Sequence, residues 1–262
     1  MALIKTDSQH YTNIATKIRE KTGGDETYTP SEMAEGVEKV FEAGKKAEYD
    51  AFWDIIQNFG NRTDYANAFA YQAWSDETFK PKYDIKVVGN GVNLFRGSVN
   101  TITDLEAALE RAGVVLDTSG AINLNNAFTN PNLTSLPTID MTKCTSNGSG
   151  SLSIQPNTIT IRKIISSEGT YWSSTGTFRY AYGLVNLIVE GVIGRGDFSV
   201  QWSTKLSKDS IVSIINALST ETSGLTLTLS KTAVNNVFEG GSMESEWLNL
   251  IATKPNWTIS LA

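Results

Sequence analysis

Ala127-Phe128-Thr129-Asn130-Pro131-Asn132-Leu133-Thr134-Ser135-Leu136-Pro137-Thr138-Ile139 is the stretch on which the reading of the fold turns. A small residue and an aromatic open it, and Leu133, Leu136 and Ile139 follow at three-residue spacing. The same opening stands at Ala68-Phe69, at Leu94-Phe95 (then Ile102 and Leu105) and at Thr177-Phe178 (then Leu184, Leu187 and Val189). The phenylalanines lie 26, 33 and 50 residues apart, and the last gap holds Leu152, Ile154, Ile159, Ile161 and Ile164, enough for one more unit. Units of roughly 20–29 residues suit leucine-rich repeats, in which no single unit buries its own apolar face and stacking supplies the core. The spacing therefore predicts an α+β chain. An N-terminal α-helical segment, residues 1–60, precedes an irregular leucine-rich-repeat-like β solenoid over 61–200 and a C-terminal α/β cap over 201–262.

The flanks support that division. Residues 1–60 carry 18 charged side chains, whereas the longer stretch 113–200 carries 10. Of the 63 residues from 118 to 180, 28 are Ser, Thr or Asn, a polar, uncharged, turn-rich composition. Asp7 or Ser8 is placed to cap a first helix with Tyr11, Ile14, Ala15 and Ile18 on one face, ended by Gly23-Gly24. A second helix starts near Thr29-Pro30-Ser31 and runs towards Phe59. Along it Met33, Val37, Val40, Gly44, Ala47, Ala51 and Asp54 recur in steps of four and three, a heptad spacing. Met33, Val37, Val40, Ala47 and Ala51 are thus the candidate oligomerisation and docking residues. The competing reading is an amphipathic helix packed on its own body.

Further on, Thr103-Asp104-Leu105-Glu106 reads as a capping box closed by Gly113, and Ser207 and Ser242 as caps of two later helices. Leu225–Leu229 and Trp257–Leu261 alternate as half-buried strands.

Composition removes much chemistry. The 262 residues include one cysteine, Cys144, and one histidine, His10, so a Cys/His zinc site and a Cys–His nucleophile pair are not expected. No metal and no cofactor is expected. With 22 Lys and Arg against 28 Asp and Glu, the net charge of −6 argues against nucleic acid as a partner. The opening residues lack the apolar core of a secretory signal, and the most apolar run, 183–194, is broken by Asn186 and Glu190. Membrane insertion is not expected, and the four N-x-S/T sequons read as chance.

The sparse acids Asp117, Asp140, Glu168, Glu190 and Asp197 form no recognisable pair for glycoside hydrolysis. Arg195-Gly196-Asp197 is too short and common to signify, and the glycines around it lack the Lys-Ser/Thr of a phosphate loop. The expectation is a non-enzymatic protein. Its best binding candidates are aromatic: Tyr171 and Trp172, set among small polar residues, together with Tyr180, Tyr182 and Trp202. Tyr and Trp offer a flat apolar body with a polar edge, which suits a sugar face. Two reservations belong to the sequence itself. Trp172 has the competing reading of a core residue, and Tyr180 and Tyr182, two apart, alternate if they lie on a strand.

Three long blocks resemble a known group. Residues 11–40 (YTNIATKIREKTGGDETYTPSEMAEGVEKV), 45–86 and 187–219 resemble tail-region proteins of phages and prophages of Gram-positive gut bacteria that carry BspA-like leucine-rich repeats. The resemblance extends over nearly the whole chain, including the closing KPNWTISLA, although the middle repeats are more degenerate than the usual pattern. It implies a virion tail or baseplate component, made in the bacterial cytoplasm, with other tail proteins and a host-surface glycan or protein as partners. A homo-oligomer, with a trimer favoured, goes with that reading. A structural virion protein without receptor contact and a BspA-like bacterial surface adhesin are the alternatives.

Overall fold

A computed structural model describes residues 15–21, 33–57, 65–70, 73–145, 158–173, 177–178, 180–239 and 241–262; on the helix 33–57 it describes side chains at 38–48 and 50–51. The chain divides into two compact units, Met1–Asn58 and Phe59–Ala262.

In the first unit residues 15–21 are helical, with Ala15 and Ile18 buried, and α1 spans Met33–Gln57. The expected cap and start of the first helix, Asp7 to Ile14, and its Gly23-Gly24 end lie outside the described residues. Lys45 pairs with Glu42 and Lys46 with Asp50, one helical turn apart on the surface of α1.

The second unit contains, in chain order, β1 (Ile85–Asn90), α2 (Leu105–Ala112), β2 (Leu116–Asn123), β3 (Ser135–Asp140), β4 (Ile159–Ser166), β5 (Leu184–Gly191), β6 (Phe198–Val200), α3 (Lys208–Ala217), β7 (Leu225–Leu229), α4 (Lys231–Val237), α5 (Ser245–Ala252) and β8 (Trp257–Leu261). The protein is α+β, but the expected solenoid is not found. Among the described residues the strands fall into three separate small parallel sheets, β1-β2, β3-β4-β5 and β6-β7-β8.

Side-chain hydroxyls mark where the ladders stop. Between β2 and β3, Thr118 Oγ1 donates to the Asp140 carbonyl (2.9 Å) and accepts from the Asp140 N–H (2.8 Å), in place of a backbone pair. At the outer edge of β5, Ser210 and Ser213 of α3 accept the Leu187 and Val189 N–H groups, both at 2.9 Å. A strand edge satisfied this way offers no template for the next strand. Among the described residues the apolar positions of the spacing are buried, while the polar residues between them set where each sheet ends.

The core is built from the phenylalanines that the spacing singled out. Phe69 stacks on Phe95 (centroids 4.9 Å, 11°), Phe95 stacks on Phe128 (6.0 Å, 18°), and Phe79 meets the first two edge-on. Leu133, Leu136, Ile139, Ile159, Ile161 and Ile164 are all buried. Leu152 and Ile154 lie outside the described residues.

Capping differs from expectation in detail. Asp104, not Thr103, caps α2 by accepting from the Ala107 N–H, and Glu244, not Ser242, caps α5. Thr103 is drawn away instead, its hydroxyl donating to the Asp76 carboxylate. Ser207 caps α3 as expected. The short helix α4, capped by Ser230, was not anticipated.

Candidate functional site: an aromatic cluster on two adjoining turns

Among the described residues of the second unit, four other than glycine hold positive φ: Asn67 (60°), Asn93 (56°), Asn126 (54°) and Tyr180 (62°). Asparagine tolerates the left-handed region because its short amide bonds locally, whereas a bulky side chain there is strained. The turns at 67, 126 and 180 are built alike. Ala68, Ala127 and Ala181 each donate to the carbonyl three residues back, on Tyr65, Leu124 and Phe178, at 3.0–3.1 Å. Asn-Ala-Phe at 67–69 and 126–128 therefore corresponds to Tyr-Ala-Tyr at 180–182. The expected opening of that segment at Thr177-Phe178 is off by four residues: Phe178 is buried in the place of Tyr65 and Leu124.

The exchange of Asn for Tyr places a second ring beside Tyr182. Tyr180 and Tyr182 stack, with centroids 6.1 Å apart and planes 29° apart. Trp202 completes the group, 6.2 Å from Tyr180 (37°) and 5.7 Å from Tyr182 (65°). The ring of Tyr180 is thus tilted midway between the other two, and the three planes open like a fan. Tyr182 is 40% exposed and Trp202 42%, with Tyr180 half-buried beside them. The alternation that would have sent Tyr180 and Tyr182 to opposite faces does not apply, because both lie in a turn rather than a strand. The turn is fixed to its neighbour: Ser203 Oγ donates to the Ala181 carbonyl (3.0 Å), and the Ser207 N–H donates to the Val185 carbonyl (2.8 Å).

The other candidates are placed differently. Trp172 is fully buried, so it is a core residue and not a contact for a sugar. Its ring packs on Phe198 (4.8 Å) and Phe178 (6.3 Å), and its Nε1 donates to Ser166 Oγ at 3.2 Å. Its small polar neighbours in sequence concealed this, because the apolar partners come from elsewhere in the chain. Tyr171 is half-buried under the Arg195 guanidinium, 5.6 Å from its ring, and is not part of the cluster of Tyr180, Tyr182 and Trp202. On α1, Val40 is half-buried and Ala47 and Ala51 are exposed, while the side chains of Met33 and Val37 lie outside the described residues.

The acids of the body each have a structural partner. Asp140 accepts from the Thr142 N–H, Asp197 from the Thr226 N–H, and Glu168 from Ser219 Oγ, while Glu190 pairs with Lys163. Asp117 accepts from Ser119, which holds its carboxyl below the usual range against the cost of partial burial. Among the described residues no group of three His, Cys, Asp or Glu is placed to hold a metal ion, and no helix is long and apolar enough to cross a membrane. Burial and the nearby Asp140 push the Cys144 thiol up to about 12. Compared with protein-family models, with curated proteins and with solved structures, the chain matches none of them.

Proposed function

We infer that the protein is a non-catalytic, adhesive component of a phage tail or baseplate, and that Tyr180, Tyr182 and Trp202 form its contact with a host-surface glycan. The observation that carries the binding reading is the left-handed Tyr180. A bulky residue in that region costs about 1–2 kcal/mol, and strain of this kind gathers where a side chain is needed for contact. Tyr180 stands where the like turns carry asparagine, and its ring extends an exposed aromatic surface. Single exposed aromatics are ordinary on protein surfaces, but a group of three in mutual contact marks a binding patch. The tail assignment rests on the resemblance of the long sequence blocks. Residues 1–60 then dock the protein and assemble copies, with a trimer favoured. A weak millimolar site repeated in several copies gains about 10²–10⁴ in avidity.

The test is titration of the full-length protein with solubilised cell-wall polysaccharide of the host. Tyr182→Ala and Trp202→Ala are each expected to weaken binding about three- to tenfold, as the loss of one ring contact would. Unchanged binding by the double variant, with an unchanged melting temperature, overturns the assignment of the patch.

A further inference from the structure

A second concave site lies away from these rings. A cleft of about 530 Å³ opens between the segment Asp76–Pro81 and α2. That volume is within the range of small-ligand sites, roughly 300–1,000 Å³. Its apolar wall is Phe79, Pro81, Ala108 and Ala112.

Asp76, Glu77, Lys80 and Arg111 rim the cleft, and they are not equivalent. The Asp76 carboxylate is taken up by the backbone N–H groups of Thr103 and Asp104 and by the Thr103 hydroxyl. The Asp76 carbonyl accepts from Arg111 Nη2 at 2.9 Å, which fixes the guanidinium at the rim. Among the described residues Nε and Nη1 of Arg111 donate to no protein group. Glu77 accepts from Ser75 Oγ at 2.7 Å, and this bond, aided by the Arg111 charge, holds its carboxyl below the usual range. The rim therefore offers an anchored planar cation with spare donors next to a carboxylate that stays ionised and retains acceptor capacity.

We propose that this cleft binds the C-terminal end of a peptide: the terminal carboxylate on Arg111, the preceding backbone N–H on Glu77, and a small apolar last side chain against Ala108 and Ala112. A guanidinium fork matches a carboxylate in geometry as well as charge. A simple fatty acid would use Arg111 alone and make no bond to Glu77. A peptide end offers its N–H to the exposed Glu77 carboxylate as well, beside the bond from Ser75 Oγ.

The experiment uses the full chain and two probes, N-acetyl-Phe-Ala as the free acid and as the amide, followed by NMR through the alanine methyl signals. The free acid is expected to shift the Ala108 and Ala112 methyls with a Kd in the millimolar range, and the amide to bind about tenfold more weakly or not at all. Arg111→Gln is expected to remove the preference for the acid. Ala112→Leu, which fills the cleft and leaves Arg111 in place, is expected to abolish binding of both probes. Equal binding of acid and amide, or no methyl shift at 10 mM acid in the folded wild-type protein (~10 mM being weaker than any useful site), overturns the proposal. Because the readout is the Ala108 and Ala112 methyls of the cleft, this outcome is independent of the aromatic cluster.

Discussion

Tyr180 holds φ at 62° in a turn whose counterparts carry asparagine, so its substitution separates backbone strain from ring contact. Tyr180→Asn and Tyr180→Ala both remove the ring, and only asparagine is at ease in the left-handed region. The Asn variant is expected to be more stable than the Ala variant by about 1 kcal/mol, roughly 2–4 °C in melting temperature, with both weakened in glycan binding. Equal melting temperatures would show that the turn carries no such strain. Gly196 lies at the opposite extreme. At φ 85° an added Cβ would fall on the Trp172 carbonyl oxygen, so Gly196→Ala is expected to cost at least about 2–3 kcal/mol in urea unfolding.

Cys144 gives a pH prediction. Its thiol titrates near 12 in the fold against 9.0 ordinarily, so the folded state binds the proton more tightly. The associated stability is fully present below pH 9 and is lost as pH rises towards 12, at about 1.4 kcal/mol per pH unit. At pH 8 only about one native thiol in 10⁴ is ionised, so alkylation by iodoacetamide is expected to follow unfolding and not precede it. Rapid labelling of the native protein would contradict this.

At the level of elements, α2 and α3 are tied to their surroundings by a small number of polar contacts. Asp104→Ala removes the bond to the Ala107 N–H at the start of α2 and is expected to cost about 1 kcal/mol by urea titration. At the C-terminal end of α3, the buried Lys254 ammonium donates to the carbonyls of Asn216 (3.0 Å) and Leu218, an arrangement that satisfies helix-end acceptors out of water. Ser210 and Ser213 close the outer edge of β5. Replacing both by alanine leaves two strand N–H groups without partners and is expected to cost about 2–4 kcal/mol. If hydrogen exchange at Leu187 and Val189 stayed as slow as in the wild type, the edge would be protected by something other than these hydroxyls.

For the whole molecule the informative division is that between Met1–Asn58 and Phe59–Ala262. The rings of Tyr180, Tyr182 and Trp202, the three sheets of the described residues and the α2 cleft all belong to the second unit. A chain beginning at Phe59 is expected to keep its cooperative melting transition, and on the proposed tail role to lose incorporation into particles. Loss of folding on truncation would show that the second unit does not fold without the first. Light scattering on the full chain tests the assembly reading directly. A mass near three times 28.6 kDa supports the heptad spacing of Met33 to Ala51 as a stem. A monomer removes that support.

The sequence by itself determined the apolar framework. Phe69, Phe95, Phe128 and the Leu and Ile positions after them are buried as their spacing required, because an apolar side chain at a regular interval has few places to go but inward. It also named all three rings of the exposed cluster. What it could not convey was how neighbouring backbones end their pairing. Thr118, Ser210 and Ser213 read as unremarkable polar residues, and only the folded chain shows their hydroxyls standing where a further strand would pair, giving three short sheets instead of one. The same limit explains Trp172, whose burial depends on Phe178 and Phe198 and not on its polar neighbours in sequence. Periodicity registers which residues leave water. Which partners they find, and where a hydrogen-bond ladder stops, are decided by contacts between segments far apart in the chain.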